Sequence, residues 1–175
     1  MAQRAARRND AVRSNMTMNV QIERASDADR PSILRLLRDA GLPIDGLVEH
    51  LNAAFVARAG AAIVGCSALE TYADGALLRS VVVVPAARGR GVGQRLTEAA
   101  VSLAQSLGMP AVYLLTTSAE SYFPKFGFVP TARDRVPASV QQSIEFRFAC
   151  PASALVMWKP LNDSAEEEQD AIREA

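Results

Sequence analysis

Between Val20 and Trp158 the apolar positions switch repeatedly between a period near two and a period near 3.6, and each switch marks an element. Val20 to Arg24 reads as a short first strand. Ser26-Asp27-Ala28-Asp29 then supplies an N-cap and early acids, and Ile33, Leu36, Leu37 and Ala40 recur at helical spacing until Gly41 stops them. Pro31 fits only in the first turn of that helix, because it has no N–H to donate further along. Leu47 to Leu51 is a weaker helical stretch. Ala53 to Arg58 and Ala61 to Leu69 read as strands joined by an Ala59-Gly60 turn. A second turn, Ala73-Asp74-Gly75, leads into Leu77 to Val84, the most β-prone run of the chain. Its near-continuous apolarity implies burial on both faces, and Pro85 ends it.

Leu96, Ala99, Ala100, Leu103, Ala104 and Leu107 mark a strongly amphipathic helix, stopped by Gly108 and Pro110. Ala111 to Leu115 is another buried strand and Ala119 to Phe126 a short helix, with further strands near Glu145 to Phe148 and Leu155 to Trp158. A meander of antiparallel strands, a strand–helix–strand unit and more strands predict one α/β domain over residues 20–161. Its architecture is an α+β mixed sheet with helices on its faces.

Composition narrows the partners. A chain of 175 residues, 49% of them hydrophobic, suits one domain with a sizeable core. Nineteen basic residues balance nineteen acidic ones, which argues against a general attraction to nucleic acid or to a membrane surface. The charges are uneven along the chain, with Arg4, Arg7, Arg8 and Arg13 near the start and a run of Asp and Glu after Asn162. Residues 1–19 and 162–175 lack apolar periodicity and read as disordered tails, the second acidic. No segment has the apolar length of a signal peptide or a membrane span. Cys66 and Cys150 lack metal-ligand spacing, so no metal is expected, and two thiols suit a reducing, cytoplasmic setting.

The chemistry is concentrated in Arg88-Gly89-Arg90-Gly91-Val92-Gly93, between a strand and a helix. The glycines remove Cβ atoms, so a ligand can lie on the backbone and the chain can take positive φ. The free N–H groups of the helix's first turn and its dipole favour a phosphate, and Arg88 and Arg90 add charge. A dinucleotide-binding glycine pattern fails, because its third glycine position falls on Leu96 or Gln94. The Gly-Lys-Ser/Thr of a P-loop is missing as well.

Val83 to Leu96 resembles the acetyl-CoA signature Val-x-Pro-x-x-Arg-Gly-x-Gly-x-Gly-x-x-Leu of the GNAT N-acetyltransferase superfamily, and Ala119, Phe123, Gly127 and Phe128 resemble its second motif. The likeness runs from about Val20 to Leu161. It implies a splayed, mostly antiparallel sheet flanked by helices, with acetyl-CoA as co-substrate. Val82 and Val84 would pair with the pantetheine arm through their backbone, with Val83 between them in the cofactor site, and the amides from Arg88 to Gln94 would hold the pyrophosphate. Thr116 and Phe123 would complete the cofactor site. A narrower likeness, in Leu77 to Val81, Tyr113 to Thr117, Glu145-Phe146 and Cys150 to Ala154, is to the branch named for arsenic-resistance operons.

Acetyl transfer to an amine needs a base, donors for the oxyanion and a proton for the thiolate. Relatives place a Tyr four residues before the Gly of the Gly-Phe turn, and Phe123 stands there; the adjacent Tyr122 is the candidate acid. Glu70 is the candidate base, with a surface acid at a turn as its plain alternative. Tyr72, Arg79 and Ser80 are the candidate substrate contacts, although Arg79 could instead pair with Glu70 or Glu145. His50 reads as a surface or packed residue. Cys66 and Cys150 read as small core residues, or as soft ligands for trivalent arsenic if they converge. The expected reaction is acetylation of a small-molecule amine, amino-acid-like or arsenic-containing, with a homodimer left open. Its rivals are a non-catalytic acyl-CoA sensor and a protein N-acetyltransferase.

Overall fold

A computed structural model of the chain describes residues 19–162, so all but the innermost residue of each tail lies outside the described residues. The strands are β1 (Val20–Arg24), β2 (Ala54–Ala59), β3 (Ala62–Tyr72), β4 (Gly75–Val83), β5 (Ala111–Thr116), β6 (Val129–Pro130) and β7 (Leu155–Pro160). The helices are α1 (Arg30–Asp39) and α2 (Val92–Ser106). The strands form one mixed sheet in the order β1-β2-β3-β4-β5-β7-β6. Every pairing is antiparallel except β4 with β5. No described helix is long and apolar enough to cross a membrane.

Local chemistry sets the helix ends. The Asp29 carboxylate accepts from the Ser26 backbone N–H (2.9 Å) and hydroxyl (2.8 Å), which fixes the chain's entry into α1. Arg58 of β2 donates to the other Asp29 oxygen at 2.9 Å and locks that entry to the sheet. Its hydrogen bond, followed by that of the Ser26 amide, holds the Asp29 carboxyl below its ordinary value. α2 begins after Gly91, at φ +72°, and lays Val92, Leu96, Ala100 and Ala104 on the sheet. Gly108, at φ +68°, ends it.

β4 behaves as its apolarity predicts, with Leu78 packing into the core under α2 and Leu77 into a second cluster with Tyr113, Val140 and Phe146. Two irregularities in β4 shape the site. β4 and β5 pair only at Ala76–Val112 and Leu77–Tyr113, and beyond Leu77 they diverge. In the β3–β4 ladder, Cys66 pairs with Val82 and Ala68 with Arg79, so Ser80 and Val81 together face Ser67 alone. That extra residue is a β-bulge. Ser80 takes φ +58° there, the one described non-glycine residue with positive φ.

Three elements differ from the sequence expectation. Glu145–Ala149 is a single π-helical turn rather than a strand. Its Glu-Phe-Arg-Phe alternation imitates a strand, but β7 already occupies the free edge of β5, and the turn buries Glu145 and Phe146 instead. The helix expected over Ala119 to Phe126 shrinks to a 3₁₀ turn at Phe123–Phe126, in which Pro124 has no N–H to extend a ladder. Leu47 to Leu51 likewise becomes a 3₁₀ turn over Val48–Ala53. β6, two residues long, carried no pattern to be read.

Candidate functional site

The divergence of β4 and β5 opens two cavities that share the walls Leu42, Val81, Ala119 and Phe123. The larger, of about 650 Å³, runs from Val81–Val83 to the loop and first turn of α2, touching Arg88, Gly89 and Gly91 to Gln94. The smaller, of about 270 Å³, holds Arg79, Ser80, Thr116 to Ser118, Glu145 and Cys150. Phe123 stands where the two meet.

The large cleft suits a phosphate-bearing ligand. Gly89 and Gly91 both sit at φ +72° with no neighbour within 4 Å of a Cβ position, so the loop presents bare backbone. Gly93 is needed for a different reason, since a Cβ there would come within 2.8 Å of the Tyr122 hydroxyl. Arg88 is less mobile than its sequence context suggests: its Nε donates to the Val83 carbonyl at 2.9 Å. Arg90 is exposed and lines neither cavity.

The pairing edge of β4 is shifted by one residue from the expectation. The Val84 N–H donates to the Val64 carbonyl at 2.8 Å and therefore points at β3. Strand alternation gives Val82 the same direction and leaves Val81 and Val83 facing the gap. Only the bulge could have signalled this, and a sequence does not show a bulge. Thr116 also moves: its hydroxyl accepts from the Ala119 N–H at 2.9 Å, and it lines the smaller cavity.

Tyr122 reaches the large cleft, but its buried hydroxyl lies over Gly93 at the start of α2, rather than where the cavities meet. Burial, the main cause, raises its phenol pKa. Its ring stands edge-on to Phe123, with centroids 5.2 Å apart, and Lys125 Nζ lies 3.9 Å from its centroid.

Glu70 does not reach either cavity. It is 1% exposed, and its oxygens accept from Arg79 Nη1 and the Tyr72 hydroxyl. Burial alone would raise its carboxyl, but hydrogen bonds from Ser143, Tyr72 and Arg79, with the Arg79 charge, together hold it below the ordinary carboxylate value. Arg79, 3% exposed, also donates through Nη2 to the Asp45 carbonyl at 2.9 Å. This is the structural pairing that the sequence allowed, so Glu70 and Tyr72 are tied into a buried network. His50, expected to be unrelated to the site, borders the same network with Nε2 3.9 Å from Glu70.

Glu145 also approaches Arg79, at 3.8 Å from Nε, and it lines the small cavity. The sequence pointed to this residue as a partner for Arg79 and as part of the narrower likeness, and placed it on a strand. Among the described residues no three of His, Cys, Asp or Glu gather as a metal site. The Cys66 thiol donates to the Ser80 carbonyl at 3.4 Å, and burial pushes its pKa up to about 12. Cys150 lines the small cavity; burial, followed by the Glu145 charge, pushes its thiol up to about 11. Neither is a ready thiolate for a soft metal.

Ser80 carries a testable strain. Its buried Oγ has no hydrogen-bond partner, and its left-handed backbone costs an L-residue about 1–2 kcal/mol. Ser80→Val adds β-branching to that conformation and is expected to lower stability by a further 1–2 kcal/mol or so in urea unfolding. Ser80→Gly is expected to stay near wild type; equal midpoints for Val and Gly would show that the backbone there is unstrained.

Comparison with known proteins agrees with this geometry. Residues 50–130 match the profile of the Acetyltransferase (GNAT) domain family. An uncharacterized N-acetyltransferase of Chlorobaculum tepidum is 26% identical over 117 residues, which cover 65% of this chain and 75% of that protein. An amino-acid acetyltransferase of Neisseria meningitidis is 27% identical over 127 residues, 67% of this chain but only 29% of the enzyme. The fold matches N-acetylglutamate synthase from Neisseria gonorrhoeae, solved with coenzyme A and N-acetyl-glutamate, at TM-score 0.70 and 22% identity over 83% of this chain and 36% of that one. It also matches a Mycobacterium tuberculosis protein solved with CoA, at TM-score 0.70 and 24% identity over 81% and 99% of the two chains. The architecture is the GNAT fold.

Proposed function

We propose that this GNAT-type, acetyl-CoA-dependent N-acetyltransferase acetylates the amine of a compact, amino-acid-like molecule. The observation that carries the acceptor class is the second cavity, about 270 Å³, an apolar space into which Arg79, Ser80, Thr116 and Glu145 bring polar groups, and which meets the donor cleft at Val81 and Phe123. Its size suits a compact metabolite. The similarity to an amino-acid acetyltransferase points the same way.

Acetyl-CoA supplies an activated acetyl thioester. The residues of this chain hold and orient it. Backbone amides between Arg88 and Gln94, reinforced by the α2 dipole, bind the pyrophosphate. Val83 and Val81 pair with the pantetheine arm along the free edge of β4, and Phe123 walls off water where the acetyl group meets the amine. Bringing both reactants into one gap supplies much of the rate, and donors around the Ser80–Val81 bulge serve the oxyanion. Reduced cysteines fit the cytoplasm as the working compartment.

Incubation with acetyl-CoA and a panel of amines, covering amino acids, arsenic-containing amino acids, polyamines and lysine peptides, is the test. Thiol release is expected with small amino-acid-like acceptors, and the arsenic-containing members decide whether the narrower likeness extends to substrate. Tight CoA binding without release for any amine would make the protein a sensor, and turnover confined to peptides would make it a protein acetyltransferase.

A further inference from the structure

We infer that Glu145, rather than Glu70, is the residue that takes the acceptor's proton. The inference rests on the acetyl-transfer reading above and names the base for its acceptor cavity.

Three observations carry it. First, Glu145 lines the 270 Å³ cavity, whereas Glu70 lines neither cavity. Second, the two acids are spent differently. Glu70 accepts hydrogen bonds on both oxygens. The Glu145 carboxylate accepts none from the described residues, although it is 6% exposed, and its nearest cation, Arg79 Nε, stands 3.8 Å away. Third, Arg79 Nε and Ser80 Oγ are buried without partners on the wall of the same cavity. A buried acid and two unsatisfied donors around one small space are the complement of a polar ligand.

The fold holds Glu145 firmly. The Cys150 N–H donates to the Glu145 carbonyl at 3.0 Å and closes the π turn, and the Glu145 N–H donates to Ser143 Oγ at 3.2 Å. Arg133 clamps the turn from outside, with Nη1 donating to the Phe146 carbonyl at 3.3 Å and its guanidinium 4.8 Å from the Phe146 ring.

The groups that face Glu145 set its titration. Arg79 on β4 favours the charged form, while Glu70 on β3 opposes it; Cys150, at the end of the turn, is held as a neutral thiol. Burial outweighs the Arg79 charge and raises the carboxyl to about 7. An acid titrating there is a carboxylate at mildly alkaline pH and gives up its proton readily.

In the reaction, an ammonium entering the cavity gives one proton to the Glu145 carboxylate. The freed amine nitrogen bonds to the thioester carbonyl carbon, and the carbon–sulfur bond breaks. The nitrogen's second proton goes with the departing thiolate, and Glu145 returns its proton to solvent. One amide and one thiol result, with one proton released.

The test compares wild type, Glu145→Gln and Glu145→Asp, using the best acceptor from the amine panel. Glu145→Gln is expected to lose about a hundredfold in kcat/KM and to lose the rise of rate through pH 7, with acetyl-CoA still raising its melting temperature as in wild type. Glu145→Asp keeps a carboxylate and is expected to keep a rising limb at a lower rate.

Melting of the ligand-free protein gives a readout that needs no turnover. A carboxyl raised in the folded state binds a proton between about pH 4.5 and 7 that the unfolded chain does not, so wild-type stability falls as pH rises through that window. Glu145→Gln is expected to lose that fall. Unchanged kcat/KM and an unchanged pH profile in Glu145→Gln, with an active wild type, would overturn the role of Glu145 and leave the acetyltransferase reading standing. An inactive wild type would overturn both.

Discussion

Arg79→Ala is expected to be among the most destabilising single changes in the domain, costing about 3–5 kcal/mol and shifting the urea midpoint accordingly. The side chain is 0% exposed and anchors three segments. Nη1 donates to Glu70 on β3, Nη2 to the carbonyls of Asp45 (2.9 Å) and Pro43 (3.5 Å), and Nε faces Glu145. Removing it leaves two buried carboxyls without their cation and two loop carbonyls without a donor. The loss comes from those uncompensated groups more than from the pair's own attraction, so the double change Arg79→Met with Glu70→Met is expected to recover much of it. The pH dependence has a definite sign. In wild type, hydrogen bonds and the Arg79 charge keep Glu70 ionised against burial. Without Arg79, burial favours the protonated form, so the deficit of Arg79→Ala should be smaller at pH 5 than at pH 8. A midpoint equal to wild type, or a deficit that grows towards acid pH, would refute this account.

The sequence announced the donor side of the site more fully than the acceptor side, for physical reasons. A glycine loop between a buried strand and an amphipathic helix is a local pattern: six residues, Arg88 to Gly93, define both the backbone freedom and the helix terminus that use it. The acceptor side is assembled from residues far apart in the chain, Arg79 and Ser80 on β4, Thr116 at the end of β5 and Glu145 on a late turn. No spacing rule connects them. Glu145 in particular was hidden by a misleading period of two, which its segment shows although the sheet edge it would need is already filled by β7. The shift of the free β4 edge from Val82 and Val84 to Val81 and Val83 has a similar origin. A single bulge at Ser80–Val81 reverses which side each amide faces, and nothing in Ser-Val-Val-Val announces it.

The second large effect is expected at Gly91, on binding of the donor. Gly91 sits at φ +72° immediately before Val92, and the Arg95 N–H donates to the Gly91 carbonyl at 3.0 Å to start the helical ladder. No atom lies within 4 Å of a Cβ there, so the penalty falls on the backbone. Gly91→Val should therefore cost about 2 kcal/mol of stability or escape that cost by turning the loop. Either way the first-turn amides lose their common aim. Losing two charge-assisted hydrogen bonds at about 1.5 kcal/mol each predicts roughly a hundredfold rise in KM for acetyl-CoA, with a smaller change in kcat. Gly91→Asn, which tolerates the left-handed conformation, should keep most of the affinity at similar side-chain size. Arg88→Ala should do less, since that guanidinium is tied to the Val83 carbonyl and contributes charge without shaping the cradle. Melting with and without acetyl-CoA separates these cases: a shift abolished in Gly91→Val, kept in Gly91→Asn and reduced in Arg88→Ala is expected. An undiminished shift in Gly91→Val would mean that the phosphate-bearing end of the donor lies elsewhere.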